Sequence, residues 1–202
     1  MSTPAPAPAF DPSRTALLVM DFQPAILAAL PGLDDPGALV GRVAGAIEDI
    51  RAHGGTVAYV RVAFTEKDWD AVPETNAMFA TVARYRAMHD EAPETAVLDG
   101  LAPREGDIVV RKTRFGALST TDLDARLRER GIDTLVLAGI STSGVVLSTV
   151  IDAADRDYRL YVLSDAVADP DAEAHRVLLA SVFPSRAQVT DTAGLRGLLT
   201  GN

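Results

Sequence analysis

This sequence predicts a single-domain α/β fold, a doubly wound sheet of about six parallel strands flanked by helices. Short apolar runs alternate with stretches of helical periodicity six times, the pattern left by repeated strand–helix crossovers. The 202 residues suffice for one substantial core, and no linker or internal repeat divides them. The stretch from Asp133 to Asp157 organises the rest. Its apolar run, Thr134 to Ala138, is broken by Gly139 and a set of hydroxyls, and from Val145 onward Val146, Val150, Ala153 and Ala154 recur at helical spacing. Such a unit aims its first helical amides at whatever lies above the turn, where the helix dipole favours negative charge. An ordinary connection with Thr142 or Ser143 as N-cap has the same pattern.

Residues 1–13 alternate Pro and Ala and are expected to be a flexible arm ahead of the domain at 14–202. Thr15 to Met20 is a compact apolar run, read as the first strand, and it ends on Asp21, Phe22 and Gln23. Pro24 to Pro36 reads as loop with one short helical piece. Ala38 to His53 carries Leu39, Val43, Ile47 and Ile50 at helical spacing until Gly54 and Gly55 stop it. Thr56 to Phe64 is the second strand. A polar loop, Thr65 to Pro73, then holds the only tryptophan, Trp69.

Asn76 to Arg86 is expected to be helical and Met88 to Glu105 irregular. The third strand, Asp107 to Arg111, ends at Lys112. Thr120 or Thr121 caps a helix through Arg130, which Gly131 closes. After the organising unit come a strand at Leu160–Leu163, an acidic-opened helix at Asp171–Val182, a short strand at Ala187–Val189 and a terminal helix at Thr192–Leu199.

Bulk chemistry narrows the function. A net charge of −9 supplies no basic stripe for phosphates, so no nucleic-acid partner is expected. No apolar run approaches the length of a membrane span and no basic-then-apolar leader opens the chain, so no membrane partner and a cytoplasmic location are expected. The absence of cysteine rules out disulfides, thiolate metal sites and a cysteine nucleophile. An apolar share of 48% is rich for a monomer and suggests a homo-oligomer. Of 19 basic residues only Lys67 and Lys112 are lysines, the type whose charge burial can tune.

Asp21, Lys112 and the 139–145 turn all fall just past the carboxyl ends of strands, where a parallel sheet binds ligands. Phe22, Phe64, Trp69 and Phe115 flank the same edge and could line an apolar pocket for a small-molecule substrate. A polar or charged residue there is costly unless it is paired or serves a site. Each alone has a plain reading: a cap for Asp21, a surface charge for Lys112, core or interface packing for the aromatics.

Strand-Asp21-Phe22-Gln23, then Lys112-Thr113-Arg114-Phe115-Gly116-Ala117-Leu118, then Gly139-Ile140-Ser141-Thr142-Ser143-Gly144-Val145-Val146, together resemble the isochorismatase-like hydrolases. The resemblance runs in order from Thr15 to Val189. It implies a six-stranded parallel sheet, frequent oligomerisation and, at Ile140–Ser141, a strained or cis peptide. In the family's amidase branch an Asp, a Lys and a Cys form the catalytic triad. The first two map to Asp21 and Lys112, but the third motif, Gly-x-x-Thr-x-x-Cys-Val, has Val145 at its nucleophile position. Cysteine-type amide hydrolysis is therefore excluded there.

The branch that names the family hydrolyses a vinyl ether without that Cys, by general-acid chemistry for which Asp21 and Lys112 suffice. Gln23, Phe64, Trp69, Phe115, Ser141, Thr142 and Ser143 are then the expected substrate contacts. The family's metal-binding branch needs paired His residues near the second strand, and Phe64 to Asp70 has none, so neither metal nor other cofactor is expected. Two rival readings stand beside this one. A catalytically silent relative would bind a ligand or protein partner. A serine hydrolase would use Ser141 or Ser143 with His175 and Asp165, since Gly139-Ile140-Ser141-Thr142-Ser143 nearly matches a nucleophile elbow.

Overall fold

The computed structural model describes residues 9–30, 33 and 35–201. Most of the expected N-terminal arm, residues 1–8, lies outside that range. Residues 9–14 are docked on the domain. Asp11 caps a 3₁₀ turn at Pro12–Arg14, and Phe10 meets the Tyr161 ring edge-on at 5.3 Å.

Six parallel strands form one sheet: β1 (Thr15–Met20), β2 (Thr56–Val62), β3 (Ile108–Lys112), β4 (Thr134–Ile140), β5 (Arg159–Ala168) and β6 (Gln188–Thr190). Their order is β3-β2-β1-β4-β5-β6, so the chain reverses its direction of travel between β1 and β4. That reversal opens a crevice at the carboxyl ends, the usual ligand position in this topology. Alternation along the strands divides the core. Ala16, Leu18, Met20, Leu135 and Leu137 face one layer, while Leu17, Val19, Val136 and Ala138 face the other. The first layer is covered by α5 (Leu123–Glu129) and α6 (Leu147–Asp155), the second by α2 (Pro36–Ala52) and α8 (Thr192–Thr200). Smaller helices complete the chain: α1 (Pro24–Ala28), α3 (Glu66–Asp70), α4 (Ala77–Arg84) and α7 (Ala172–Val177). No helix among the described residues is long and apolar enough to cross a membrane.

Boundaries differ from the expected ones for physical reasons. Helix α2 begins at Pro36 because Asp35 accepts from Ala38 N and proline suits the first helical position. Strands β4 and β5 outlast their apolar runs because, past a register shift, Gly139 pairs with Val167 and Ile140 with Ala168. Strand β2 ends at Val62, and Phe64 bridges to His89 instead. The segment expected as a polar loop contains α3, set by a reciprocal cap in which Thr65 accepts from Asp68 N and the Asp68 carboxylate accepts from Thr65 N.

Candidate active site

Asp21 follows the last residue of β1 and sits at φ 59°, a left-handed conformation that Asp enters more readily than most residues. Its N–H donates to Val60 O and its carbonyl accepts from Gln23 N, both at 2.8 Å, so the bend is held from either side. Lys112 ends β3, two strands away. Alternation along β3 puts Ile108, Val110 and Lys112 on the inner face and Arg111 on the outer, where it pairs with Asp68. Two strand spacings are about 10 Å, and the four-carbon stem of Lys112 crosses the end of β2 to bridge them. The Lys112 ammonium lies 2.8 Å from Asp21 Oδ2 and donates to Arg114 O at 3.0 Å.

Both residues are buried, at 5% and 2% exposure, and Asp21 Oδ1 has no hydrogen-bond partner among the described residues. Two effects compete for the Asp21 proton. Burial disfavours the carboxylate and the neighbouring ammonium favours it. Burial wins, and the carboxyl is pushed up from 3.8 to about 6. General-acid chemistry requires such a balance.

The third part of the site is the turn after β4. Residues Thr142–Val146 form a wide π-type turn that leads into α6, and the Ile140–Ser141 peptide is cis, as the resemblance implied. Gly139 lets these elements approach, since a Cβ there would lie 3.1 Å from Val146 Cγ2 and 3.2 Å from Met20 Cβ. Ser141 Oγ accepts from Gly144 N at 3.1 Å, with no room for a larger residue at 144, where a Cβ would come within 2.7 Å of that oxygen. Asp169 pins the turn through Ser143 N at 2.6 Å.

These parts border a half-open cavity of about 290 Å³. Asp21, Lys112 and Ser141 supply its polar groups, and Val145 occupies the wall where the family motif has Cys. Phe64 and Phe115 line it, as expected. Gln23 does not. Its amide is fully buried and clamps β2 to the 93–95 turn, donating to Val62 O and Thr95 O and accepting from Val62 N. Thr142 and Ser143 also fall outside the lining, because the turn directs the Thr142 hydroxyl to His175 Nδ1 at 2.9 Å and leaves Ser143 exposed.

Trp69 is likewise no wall residue. It is buried in a satellite cluster with Val62, Phe64 and Phe79, and its indole donates to Ala87 O at 3.1 Å. Trp69→Ala is therefore expected to destabilise the fold by ~3–5 kcal/mol, measured by urea unfolding. A change below ~1 kcal/mol would return Trp69 to a surface role.

The serine-triad geometry does not assemble. His175 bonds Thr142 rather than Ser141 or Ser143, and burial holds its imidazole below the usual histidine range. Asp165 instead accepts from Thr192 N and Oγ1 at the start of α8. Wall residues the sequence reading missed include Ile26, Leu30, Met78, Phe79, Val82 and Met88. They come from α1, α4 and irregular chain, whose approach to the crevice leaves no periodic signal. A larger surface groove of about 830 Å³, lined by Pro24, Val40 and Leu98 among others, contains none of Asp21, Lys112 or the 139–146 turn. Among the described residues, no group of three His, Asp or Glu side chains is placed to hold a metal ion.

The isochorismatase domain profile matches residues 15–194, from the start of β1 into α8. The chain belongs to the isochorismatase family. Within that family it is 33% identical over 176 residues to the uncharacterized protein YwoC of Bacillus subtilis, covering 86% of this chain and 88% of YwoC. It is 32% identical to the ureidoacrylate amidohydrolase RutB of Methylobacterium radiotolerans, covering 95% and 81%. The crystal structure of a cysteine hydrolase from Pseudomonas syringae pv. phaseolicola superposes with a TM-score of 0.84 at 26% identity, covering 100% of this chain and 99% of that one. This isochorismatase-family chain departs from a cysteine hydrolase at its nucleophile position, since it contains no cysteine.

Proposed function

We propose that this chain is a small-molecule hydrolase that works without a cysteine nucleophile, through Asp21 and Lys112. One observation carries the reading. A buried carboxyl and a buried ammonium lie 2.8 Å apart at the cavity, and one carboxyl oxygen has no hydrogen-bond partner among the described residues. The hydrolytic names of relatives such as ureidoacrylate amidohydrolase support the hydrolase part of this reading and leave the cysteine-free step to the residues themselves.

For a vinyl ether the step is general-acid hydrolysis. Asp21 transfers its proton to the terminal vinylic carbon, whose π electrons form the new C–H bond, and an oxocarbenium ion faces the Asp21 carboxylate. Water adds to the cationic carbon and returns a proton to Asp21. The resulting hemiketal breaks its C–O bond to release an alcohol and a ketone. Lys112 holds the carboxyl in place and moderates the effect of burial on its proton affinity. Ser141 Oγ, which accepts from Gly144 N, keeps its own O–H free to donate to the substrate or water. Val145 shapes the wall and packs the start of α6.

The test is a turnover panel of vinyl ethers, amides and esters. Wild type and Val145→Ala should both turn over a member of the panel that Asp21→Asn does not. Turnover by none of the three, with ligand binding intact, would favour the second reading, a catalytically silent relative. That reading is motivated by Val145 at the nucleophile position.

The large apolar side chains Met78, Phe115 and Ile151 are 55%, 43% and 44% exposed, which supports assembly as a homo-oligomer. Light scattering at micromolar concentration should give at least twice the chain mass of 21.3 kDa. A stable monomer removes the assembly proposal.

A further inference from the structure

The cavity wall points to a class of substrate. From the lining we infer that the site takes a neutral, largely apolar molecule about the size of one substituted ring, and discriminates against its carboxylate counterpart. The inference rests on the proposed site being the ligand site, and it extends that reading to specificity.

Beyond Asp21, Lys112 and Ser141 the wall is almost wholly apolar: Phe64, Phe79, Phe115, Met78, Met88 and Val82 stand out, with Ile140 and Val145 at the turn. An anion placed there needs a cation that is not already engaged. Among the described residues Lys112 supplies the only cation in the lining, and Asp21 and Arg114 O already take two of its three N–H groups. Of the neighbouring cations, Arg111 pairs with Asp68 on the outer face, Arg114 lies over the Phe79 ring at 5.3 Å and donates to Thr113 O, and neither belongs to the lining. With the Asp21–Lys112 pair ionised, a bound carboxylate would leave a net negative charge against a largely apolar wall. It could enter only with a proton on Asp21, whose carboxyl titrates near 6, so its affinity should fall about tenfold per pH unit above that value. A neutral ligand escapes this penalty. The volume, about 290 Å³, lies at the lower limit for small-molecule pockets and suits one ring with short substituents.

The polar end of the ligand is set by Asp21 Oδ1. That oxygen is buried and without a partner among the described residues, so it fits one hydrogen-bonding head group on an otherwise apolar body.

The test is calorimetric binding at pH 8 of a matched pair, 4-ethoxybenzamide and 4-ethoxybenzoate. The two share shape and differ in charge, and neither carries a vinyl ether. The amide should bind at least tenfold more tightly, and lowering the pH from 8 to 6 should strengthen the acid much more than the amide. Phe115→Ala, at an exposed wall position, should weaken the amide three- to tenfold and so place the binding in this cavity. Equal or tighter binding of the acid, no binding by either compound, or amide binding that Phe115→Ala leaves unchanged would each overturn the inference. Because the readout is binding, it stands or falls independently of turnover. Amide preference together with a dead turnover panel would keep the substrate class and remove the hydrolase.

Discussion

Asp21→Asn is expected to lower turnover at least a hundredfold, within the range that a positioned general acid contributes. Asn matches the carboxyl in shape, and its amide oxygen still accepts from Lys112, so circular dichroism should show a retained fold. What disappears is the transferable proton. The pH profile of the wild type separates acid from base. With the carboxyl at about 6, roughly one molecule in ten is protonated at pH 7. General-acid catalysis should therefore give a kcat/KM that is flat below about pH 6 and falls tenfold per unit above it. A limb rising through pH 6 would assign Asp21 as a base and discard the protonation step.

The same group leaves a mark on stability. Its folded value, about 6, lies above the ordinary 3.8, so the folded state holds the proton more tightly than the unfolded chain. Its contribution is fully present below pH 4 and is lost as pH rises to 6, amounting to roughly 3 kcal/mol. Wild type should thus lose stability relative to Asp21→Asn across that window, as read by urea unfolding at each pH. A constant difference would mean that the carboxyl titrates normally.

Lys112→Met should have the next largest effect, of two kinds. Without the ammonium 2.8 Å away, nothing opposes burial, and the Asp21 carboxyl should rise further, by about one unit or more. The falling limb of the pH profile moves up by the same amount. The plateau rate should drop ten- to a hundredfold, because the carboxyl is no longer held against the substrate. Stability at pH 7 should suffer less than a broken buried pair usually costs, about 3–5 kcal/mol, since the carboxyl can neutralise itself by protonation. A lower rate with an unmoved limb would show that Lys112 only supports the fold.

Much of the fold was legible because it rests on local rules. The run Thr15–Met20 is apolar at every position, and such a strand belongs inside a parallel sheet. The α2 helix shows its apolar stripe and its Gly54-Gly55 stop in the letters alone. The three motifs that carry the family resemblance each sit at the carboxyl end of a strand, so placing the strands placed Asp21, Lys112 and Val145 on one edge. The α3 helix was missed although Thr65 and Asp68 spell its cap, because a five-residue helix has too few turns to show a period.

Residues whose roles depend on distant partners were not legible. Gln23 looked like a ligand contact beside Asp21, yet its neighbours in space are Val62 and Thr95. Trp69, in a polar stretch, turned inward to meet residues from β2 and α4. The Ser141-to-His175 hydrolase was plausible in chain order, but the turn hands His175 to Thr142.

The sequence by itself determined the parallel sheet and the edge on which its charged residues gather, because each follows from side-chain type and short-range periodicity, and its resemblance to the family motif marked Val145 as the replaced nucleophile. Only the tertiary structure decided that Lys112 reaches Asp21 across β2 and that burial outweighs that ammonium at the carboxyl. It also decided which apolar residues close the cavity, because desolvation and long-range contact exist only once separate elements are packed together.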